Sequence, residues 1–172
     1  MKGYTSEMIR NVALLGHGGC GKTTFLEAAL LATGVISRLG KVEDGTTVSD
    51  YDKMEIEKGY SINTTLVPVE YNKVKINFVD TPGFFDFAGE VQGALRGVEA
   101  AAILVDASSG IQVGTEKAWD LCEEYKLPRI IFVTNMDDDH ASFRELILKL
   151  EKQFGRKIAP FQVPIRENEK FV

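Results

Sequence analysis

The chain has 172 residues, which is enough for one full hydrophobic core but hardly for two. It carries 20 Lys and Arg residues against 25 Asp and Glu residues, and the net charge of −5 excludes a general basic surface for nucleic acid. Hydrophobic residues make up 44% of the chain and charged residues 26%, which excludes a disordered or fibrous protein. We therefore expect one soluble, globular domain.

The two cysteines, Cys20 and Cys122, are far apart and belong to no CxxC motif, so the sequence indicates neither a disulfide framework nor a zinc site. The longest apolar run, residues 100–105, is far shorter than the ~18 residues of a membrane span. Residues 1–10 lack the apolar core of a signal peptide. These patterns predict a cytoplasmic protein with no membrane contact.

Short apolar runs alternate with helical patterns along the chain. Strands are predicted over residues 12–15, 64–71, 74–80, 100–105, 130–133 and 158–163. Helices are predicted over residues 22–33, 91–98, 118–125 and 143–150, and the last begins with a capping box from Ser142 to Glu145. Asn72 and Lys73 are expected to form a hairpin turn. This order predicts an α/β domain whose doubly wound, mostly parallel sheet lies between two helical layers and contains one antiparallel strand pair.

One stretch, residues 35–63, shows neither the apolar spacing of a helix nor that of a strand. It is rich in Gly, Asp, Glu, Lys, Ser and Thr, and it shows no sustained apolar pattern. A stretch of this length without regular structure inside a compact domain is usually functional or disordered.

Residues 16–23 read GHGGCGKT and match the phosphate-binding loop GxxxxGK[ST] between a strand and a helix. Backbone N–H groups of such a loop surround phosphates, and the helix N-terminus adds its positive dipole. Lys22 is expected to reach the β- and γ-phosphates, and the Thr23 hydroxyl to bind Mg²⁺. The predicted nucleotide-binding residues are Gly16, His17, Gly18, Gly19, Cys20, Gly21, Lys22, Thr23 and Thr24. The alternative is a glycine-rich turn with an incidental lysine.

Asp80 to Gly83 form the sequence DTPG after a predicted strand. An acidic group at a strand end beside a phosphate loop can hold Mg²⁺, and a glycine N–H three residues later can meet the γ-phosphate. The same four residues are also an ordinary turn sequence. The phosphate loop upstream favours the interpretation as a functional motif.

Thr134 to Asp137 follow the strand over residues 130–133. The Asp137 carboxylate can accept hydrogen bonds from guanine N1–H and its exocyclic amine, a donor pair that adenine lacks. Two alternatives to this base-specificity motif remain. The motif could be shifted by one residue and run from Asn135 to Asp138, or the segment could be a polar loop without function.

Five segments in this order resemble the G domain of elongation factor G, and more closely the elongation factor G-like branch of the translational GTPases. They are residues 16–24, 58–62, 80–91, 110–119 and 128–137. The resemblance runs from about residue 10 to residue 165. It implies a P-loop NTPase fold, GTP and GDP as ligands with Mg²⁺, and the ribosome as a partner, with no binding of DNA.

The resemblance also assigns roles to residues. It identifies Lys22, Asp80 and Gly83 as catalytic, Thr23, Ser61 and Asp80 as metal ligands, and Asn135 and Asp137 as base contacts. Switch I then covers about residues 35–63, and switch II about residues 80–98. Residues 1–157 are expected to be a partial G domain and residues 158–172 the start of an inserted subdomain that is cut short. The last core strand is expected beyond residue 172, and the chain is expected to be monomeric.

Four positions depart from the family pattern. Ser61 stands where the family has a metal-binding Thr, Gly19 replaces an acidic loop residue, and Asn135 replaces the Lys that covers the base. Phe84 replaces the His that positions the attacking water, so either another group orients the water or hydrolysis is slow. Hydrolysis without the ribosome is expected to be very slow. Other possibilities are a ribosomal protection or release-type GTPase, a ribosome-binding module with little turnover, and, most distantly, an ATPase outside translation.

Overall fold

The computed structural model describes residues 3–167 and 170–171 and places a five-stranded sheet at the centre of the chain. The sheet order is β2-β3-β1-β4-β5, and only the β2–β3 pair is antiparallel. The strands are β1 (Ile9–Gly16), β2 (Thr65–Tyr71), β3 (Val74–Asp80), β4 (Ala100–Asp106) and β5 (Arg129–Thr134). The predicted doubly wound, mostly parallel sheet is confirmed, and β1 is longer than its apolar run at both ends.

Helices cover both faces of this sheet, as the continuous apolar runs predict. The helices are α1 (Lys22–Ala32), α2 (Lys53–Lys58), α3 (Ala88–Leu95), α4 (Val113–Glu124) and α5 (Phe143–Phe154). Leu26 and Leu30 of α1 join one buried cluster with residues of β1, β2 and β4. The opposite face buries residues of α3, α4 and α5 against β1 and β4. The three predicted layers are therefore present. In the described residues no helix is long and apolar enough to cross a membrane.

The hairpin between β2 and β3 turns at Asn72 and Lys73, as predicted. Both residues have positive φ angles, 47° and 66°, which are the backbone angles of a two-residue type I′ turn. At the start of α5, the Ser142 hydroxyl accepts from the Glu145 N–H at 3.4 Å, which is the first half of the predicted capping box.

The predicted strand over residues 158–163 is wrong. These residues follow a short 3₁₀ turn, Gly155–Lys157, and form no regular structure. Pro160 and Pro164 have no N–H to donate to a strand partner, so the segment is a poor strand despite its apolar residues. Two short strands, β6 (Arg166–Glu167) and β7 (Lys170–Phe171), pair beyond it.

The polar stretch over residues 35–63, which the sequence leaves as functional or disordered, is folded around one short helix, α2. Two buried carboxylates organise it in separate halves. Glu27 of α1 is 0% exposed and accepts from the N–H groups of Gly40 (3.0 Å) and Val48 (2.6 Å). Glu55 of α2 is 1% exposed and accepts from the N–H groups of Ile62 and Asn63, both at 2.9 Å. The family resemblance names residues 35–63 switch I, and with that label we call residues 40–48 its first half and residues 52–63 its second half. Hydrogen bonds to buried acids, rather than an apolar face, hold them in place.

Candidate active site

The carboxyl ends of the parallel strands meet at one edge of the sheet. The pairing register sets Leu14 of β1 beside Asp80 of β3 and Asp106 of β4 beside Thr134 of β5. Open α/β sheets bind ligands at such an edge, where the strand order reverses. The motifs that are separated in the sequence therefore converge here.

The loop between β1 and α1 depends on glycine at both ends. Gly16 has a φ of 142°, and a Cβ atom there would lie 2.5 Å from the Leu104 carbonyl oxygen. Gly21 has a φ of 90°, and a Cβ atom there would lie 3.3 Å from the Thr134 side chain. Any other residue would strain the backbone at either position. The loop can therefore lie directly against β4 and β5 and lead into α1.

Lys22 begins α1 and folds back over the loop. Its side chain is buried, and Nζ donates to the carbonyl oxygens of Gly16 at 3.2 Å and His17 at 2.9 Å. Burial raises the pKa of the neighbouring Cys20 thiol although the Lys22 ammonium opposes this shift. The loop therefore presents one fixed positive charge beside a neutral thiol. Thr24, also predicted to bind nucleotide, is exposed in the first turn of α1.

The three predicted metal ligands lie together. The Thr23 hydroxyl donates to Asp80 Oδ2 at 3.0 Å and lies 3.3 Å from the Ser61 hydroxyl. Ser61 in turn donates to Asp50 Oδ1 at 2.7 Å. Asp50 was not predicted, because it lies in a polar stretch whose sequence gives no periodic signal. Four oxygen-bearing side chains from α1, β3 and switch I thus form one chain of contacts.

The chemistry of these side chains fits a hard cation such as Mg²⁺, which prefers oxygen ligands. Asp80 is 1% exposed, and burial raises its pKa to about 6 although Lys22 opposes this. Within the described residues, Asp80 Oδ1 and Asp50 Oδ2 are buried and accept no hydrogen bond. No group of three or more His, Cys, Asp and Glu side chains in this part of the chain is placed to hold a metal.

The DTPG segment packs against the phosphate loop. The buried Thr81 hydroxyl donates to the Leu14 carbonyl at 2.6 Å and fixes the segment to β1. A Cβ atom at Gly83 would lie 2.6 Å from Lys22 Nζ and 2.7 Å from the Gly18 nitrogen. Only glycine allows this approach. Of the three residues predicted to be catalytic, Gly83 therefore lies against Lys22 and the loop backbone, and Asp80 contacts Thr23 at the start of α1.

Phe84 covers the loop on its outer side. A Cβ atom at Gly18 would lie 3.0 Å from Cζ of the Phe84 ring, so the ring rests directly on the glycine. The Tyr60 ring of switch I also lies against Phe84, with 4.6 Å between the two ring centroids. Two aromatic rings thus cover this side of the phosphate loop.

The residues of the predicted base-specificity motif, Thr134 to Asp137, have different surroundings in the structure. The Thr134 hydroxyl donates to the Cys20 carbonyl at 2.9 Å and so joins β5 to the phosphate loop. The Asn135 amide donates to Asp106, whereas Asp137 is exposed in the following turn. Burial raises the pKa of Asp106, but hydrogen bonds from the Ser109 N–H and the Ser108 and Asn135 side chains outweigh it and hold that pKa at about 2. Asp106 was not predicted, since an Asp at a strand end carries no distinctive motif.

Residues 7–168 match the family model described as the elongation factor Tu GTP binding domain. The elongation factor G-like protein of Mycobacterium tuberculosis is 38% identical over 156 residues, which cover 91% of this chain and 22% of that protein. Elongation factor G of Gluconobacter oxydans is 37% identical, covering 95% of this chain and 23% of that protein. The mitochondrial ribosome-releasing factor 2 of Anopheles gambiae is 36% identical, and the match covers 98% of this chain and 23% of that protein.

A crystal structure from Thermus thermophilus superimposes with a TM-score of 0.91 and 41% sequence identity, over 96% of this chain and 25% of that one. The chain therefore spans about a quarter of the length of the relatives that it matches.

Proposed function

Because this chain belongs to the family of elongation factor Tu GTP-binding domains and to its elongation factor G-like translational GTPases, we propose that it binds GTP or GDP at residues 16–24 and hydrolyses GTP with Mg²⁺. The observation that carries this proposal is the meeting of the Thr23, Ser61 and Asp80 oxygens beside Lys22. These residues come from three separate motifs, and their contact has no other evident purpose.

The loop and Lys22 would bind the phosphates. Lys22 already donates to two loop carbonyls, so its ammonium group is positioned before a ligand arrives. The loop N–H groups and the N-terminus of α1 add further positive potential. Charge-assisted hydrogen bonds of this kind are stronger than neutral ones.

Thr23, Ser61 and Asp80 would hold Mg²⁺, which, when bound, neutralises phosphate charge as the terminal phosphoryl group is transferred to water. Asp50 would act by holding the Ser61 hydroxyl, since the two side chains lie 2.7 Å apart. The buried Asp80 carboxylate would supply negative charge through Oδ1, which accepts no hydrogen bond from the described residues. The second half of switch I is thereby coupled to the nucleotide through Ser61.

Selection of guanine is assigned to Asp137. Thr134 joins this segment to the phosphate loop, and Asn135 is occupied by its bond to Asp106. Asn135 therefore stabilises the conformation of this segment and does not cover the base. The Asp137 carboxylate, exposed in the turn, supplies the acceptor pair that guanine requires.

A switch in conformation follows from the same contacts. Gly83 lies close to Lys22 and Gly18, and Ser61 lies close to Thr23. A γ-phosphate at this place would contact both segments, and its loss would release them. We propose that the ribosome is the partner that responds to this change in the cytoplasm, and the names of the elongation-factor and ribosome-releasing relatives support this choice.

The function is tested by calorimetric titration of the 172-residue chain with GDP and ADP in Mg²⁺. GDP should bind at least about tenfold more tightly than ADP, since an unpaired polar group in a base pocket costs roughly 1–3 kcal/mol. Asp137→Asn should remove most of this preference, while Asp44→Asn, at an exposed position away from the strand ends, should keep it. Equal binding of ADP and GDP would contradict the proposal.

A second function is a ribosome-binding module that turns over little GTP, and Phe84 is the observation that favours it. A phenyl ring cannot orient a water molecule by hydrogen bonding. Phe84→His should raise single-turnover GTP hydrolysis with ribosomes by about tenfold or more, because a positioned acid or base contributes roughly 10²–10⁴-fold.

The matched control for this substitution is Phe161→His, at a ring that is 98% exposed. If Phe84→His leaves the hydrolysis rate unchanged, another group orients the water and the chain is an ordinary GTPase. If wild-type hydrolysis is unaffected by ribosomes, the ribosome is not the partner.

A further inference from the structure

The first turn of α4 lies directly against the phosphate loop. Gly114 is buried there, and a Cβ atom added to it would lie 2.6 Å from the His17 Cα atom. The same Cβ atom would lie 2.9 Å from both Cβ and Nδ1 of His17. Distances below 3.0 Å are shorter than real carbon contacts, and the nearest atom belongs to the backbone. Even a methyl group at Gly114 therefore has no room beside the loop.

The same face of α4 also contacts the segment that follows DTPG. Lys117 lies one turn after Gly114, and its Nζ atom is 3.8 Å from the centroid of the Phe85 ring. Phe85 in turn faces His17, with 6.2 Å between ring centroids and an angle of 60° between the ring planes. The three side chains connect α4, the phosphate loop and switch II in one continuous contact.

Helix α4 is held in place by its own buried residues. Ala118 and Cys122 are 4% and 0% exposed and anchor α4 in the core, and Thr115 is 1% exposed at its start. A well-packed core accommodates little added side-chain volume. Extra volume at Gly114 must therefore displace the glycine-rich loop at His17 instead of moving α4.

We infer that Gly114 and Lys117 are positioning residues for the nucleotide site, with Gly114 fixing the phosphate loop through His17 and Lys117 fixing switch II through Phe85. This inference rests on the proposed binding of guanine nucleotides. It gives a role to residues 110–119, a segment that the family resemblance includes but that supplies no phosphate, metal or base contact. Positioning by a rigid neighbouring element is a common way to maintain the geometry of a binding site.

The test compares Gly114→Ala with Gly93→Ala in the 172-residue chain. Gly93 lies in α3 with no atom within 4 Å of an added Cβ, so it is a matched control for the same change in a helix. Gly114→Ala should weaken binding of both GDP and GTPγS by about tenfold or more. It should also shift the backbone amide NMR signals of His17 and Gly18 without nucleotide, and Gly93→Ala should do neither. Wild-type affinity with unshifted His17 and Gly18 signals would overturn the role of Gly114.

Lys117→Met tests the second contact at an exposed position where the fold is not at risk. It should weaken GTPγS binding by about threefold or more and leave GDP binding unchanged, because Phe85 adjoins the segment that meets the γ-phosphate. Lys149→Met, at another exposed lysine, is the control. Equal effects on GDP and GTPγS, or none, would overturn the role of Lys117.

If the wild-type chain binds neither GDP nor GTPγS, the proposed function fails. The amide signals of His17 and Gly18 in Gly114→Ala still decide whether α4 positions the loop, so the two failures can be told apart.

Discussion

Replacing Lys22 with methionine should raise the dissociation constant for GDP by about 100-fold. Among the described residues, Lys22 is the one charged side chain placed within the phosphate loop, and its Nζ atom lies 2.9 Å from the His17 carbonyl. Methionine keeps the length of the side chain but removes the charge. Hydrogen bonds to charged groups contribute roughly 1.5–3 kcal/mol, and about 1.4 kcal/mol corresponds to a tenfold change in affinity.

Calorimetric titration measures this change, and Lys152→Met serves as the control because Lys152 is exposed on α5. Thermal unfolding should show that both variants fold. A dissociation constant within about threefold of the wild-type value would mean that Lys22 only closes the loop by its carbonyl contacts and that backbone N–H groups bind the phosphates.

The second large effect concerns Asp106, whose pKa of about 2 makes stability depend on pH. A carboxyl group with a pKa of about 2 in the folded state, against an ordinary value of 3.8, stabilises the fold by roughly 1–2 kcal/mol at neutral pH, because screening by solvent reduces the full effect of the shift. Because the folded state holds the ionised form, this contribution is complete above about pH 4 and is lost as the pH falls towards 2.

Asp106→Asn should therefore lower the free energy of unfolding by about 2 kcal/mol at pH 7, and by much less at pH 2. The asparagine retains one acceptor, but its amide faces the donating amide of Asn135. Urea unfolding of both proteins at several pH values measures the difference, with Asp120→Asn as a control at an exposed position of α4. A constant difference from pH 7 to pH 2 would show that packing, and not charge, accounts for the effect.

The sequence predicts the parts of the fold that depend on local patterns. The strand-loop-helix unit around residues 16–23 is marked by its glycines, and the hairpin by Asn72 and Lys73, whose positive φ angles the turn requires. The apolar run of β4 identifies a buried parallel strand because helices cover both of its faces. The apolar run of β5 also forms a parallel strand, but its Ile130 and Phe132 side chains are exposed, so one of its faces is not covered as the run predicts. The family resemblance names Thr23, Ser61 and Asp80 as metal ligands. Their side chains lie in contact, and their binding of a metal stays a prediction.

Other features depend on contacts between distant residues, and local patterns do not reveal them. The Glu27 carboxylate binds N–H groups more than ten residues further along the chain, so nothing near Glu27 indicates its partners. Asp50 reaches the proposed metal ligands through Ser61, which lies 11 residues further along the chain. At residues 158–163 the apolar composition favoured a strand. The segment forms none, because its prolines cannot donate hydrogen bonds and no neighbouring strand pairs with it.

The separate anchoring of the two halves of switch I has a consequence for how the segment opens. Glu27 lies on α1 four residues after Thr23, so the first half is attached to the same rigid helix as the phosphate loop. The second half is attached to its own short helix through Glu55 and to the nucleotide site through Ser61. Breaking the Ser61 contact leaves the Glu27 bonds intact. We therefore expect the two halves to open as separate local units, and the half that contains Ser61 to open first when its contact with Thr23 is lost.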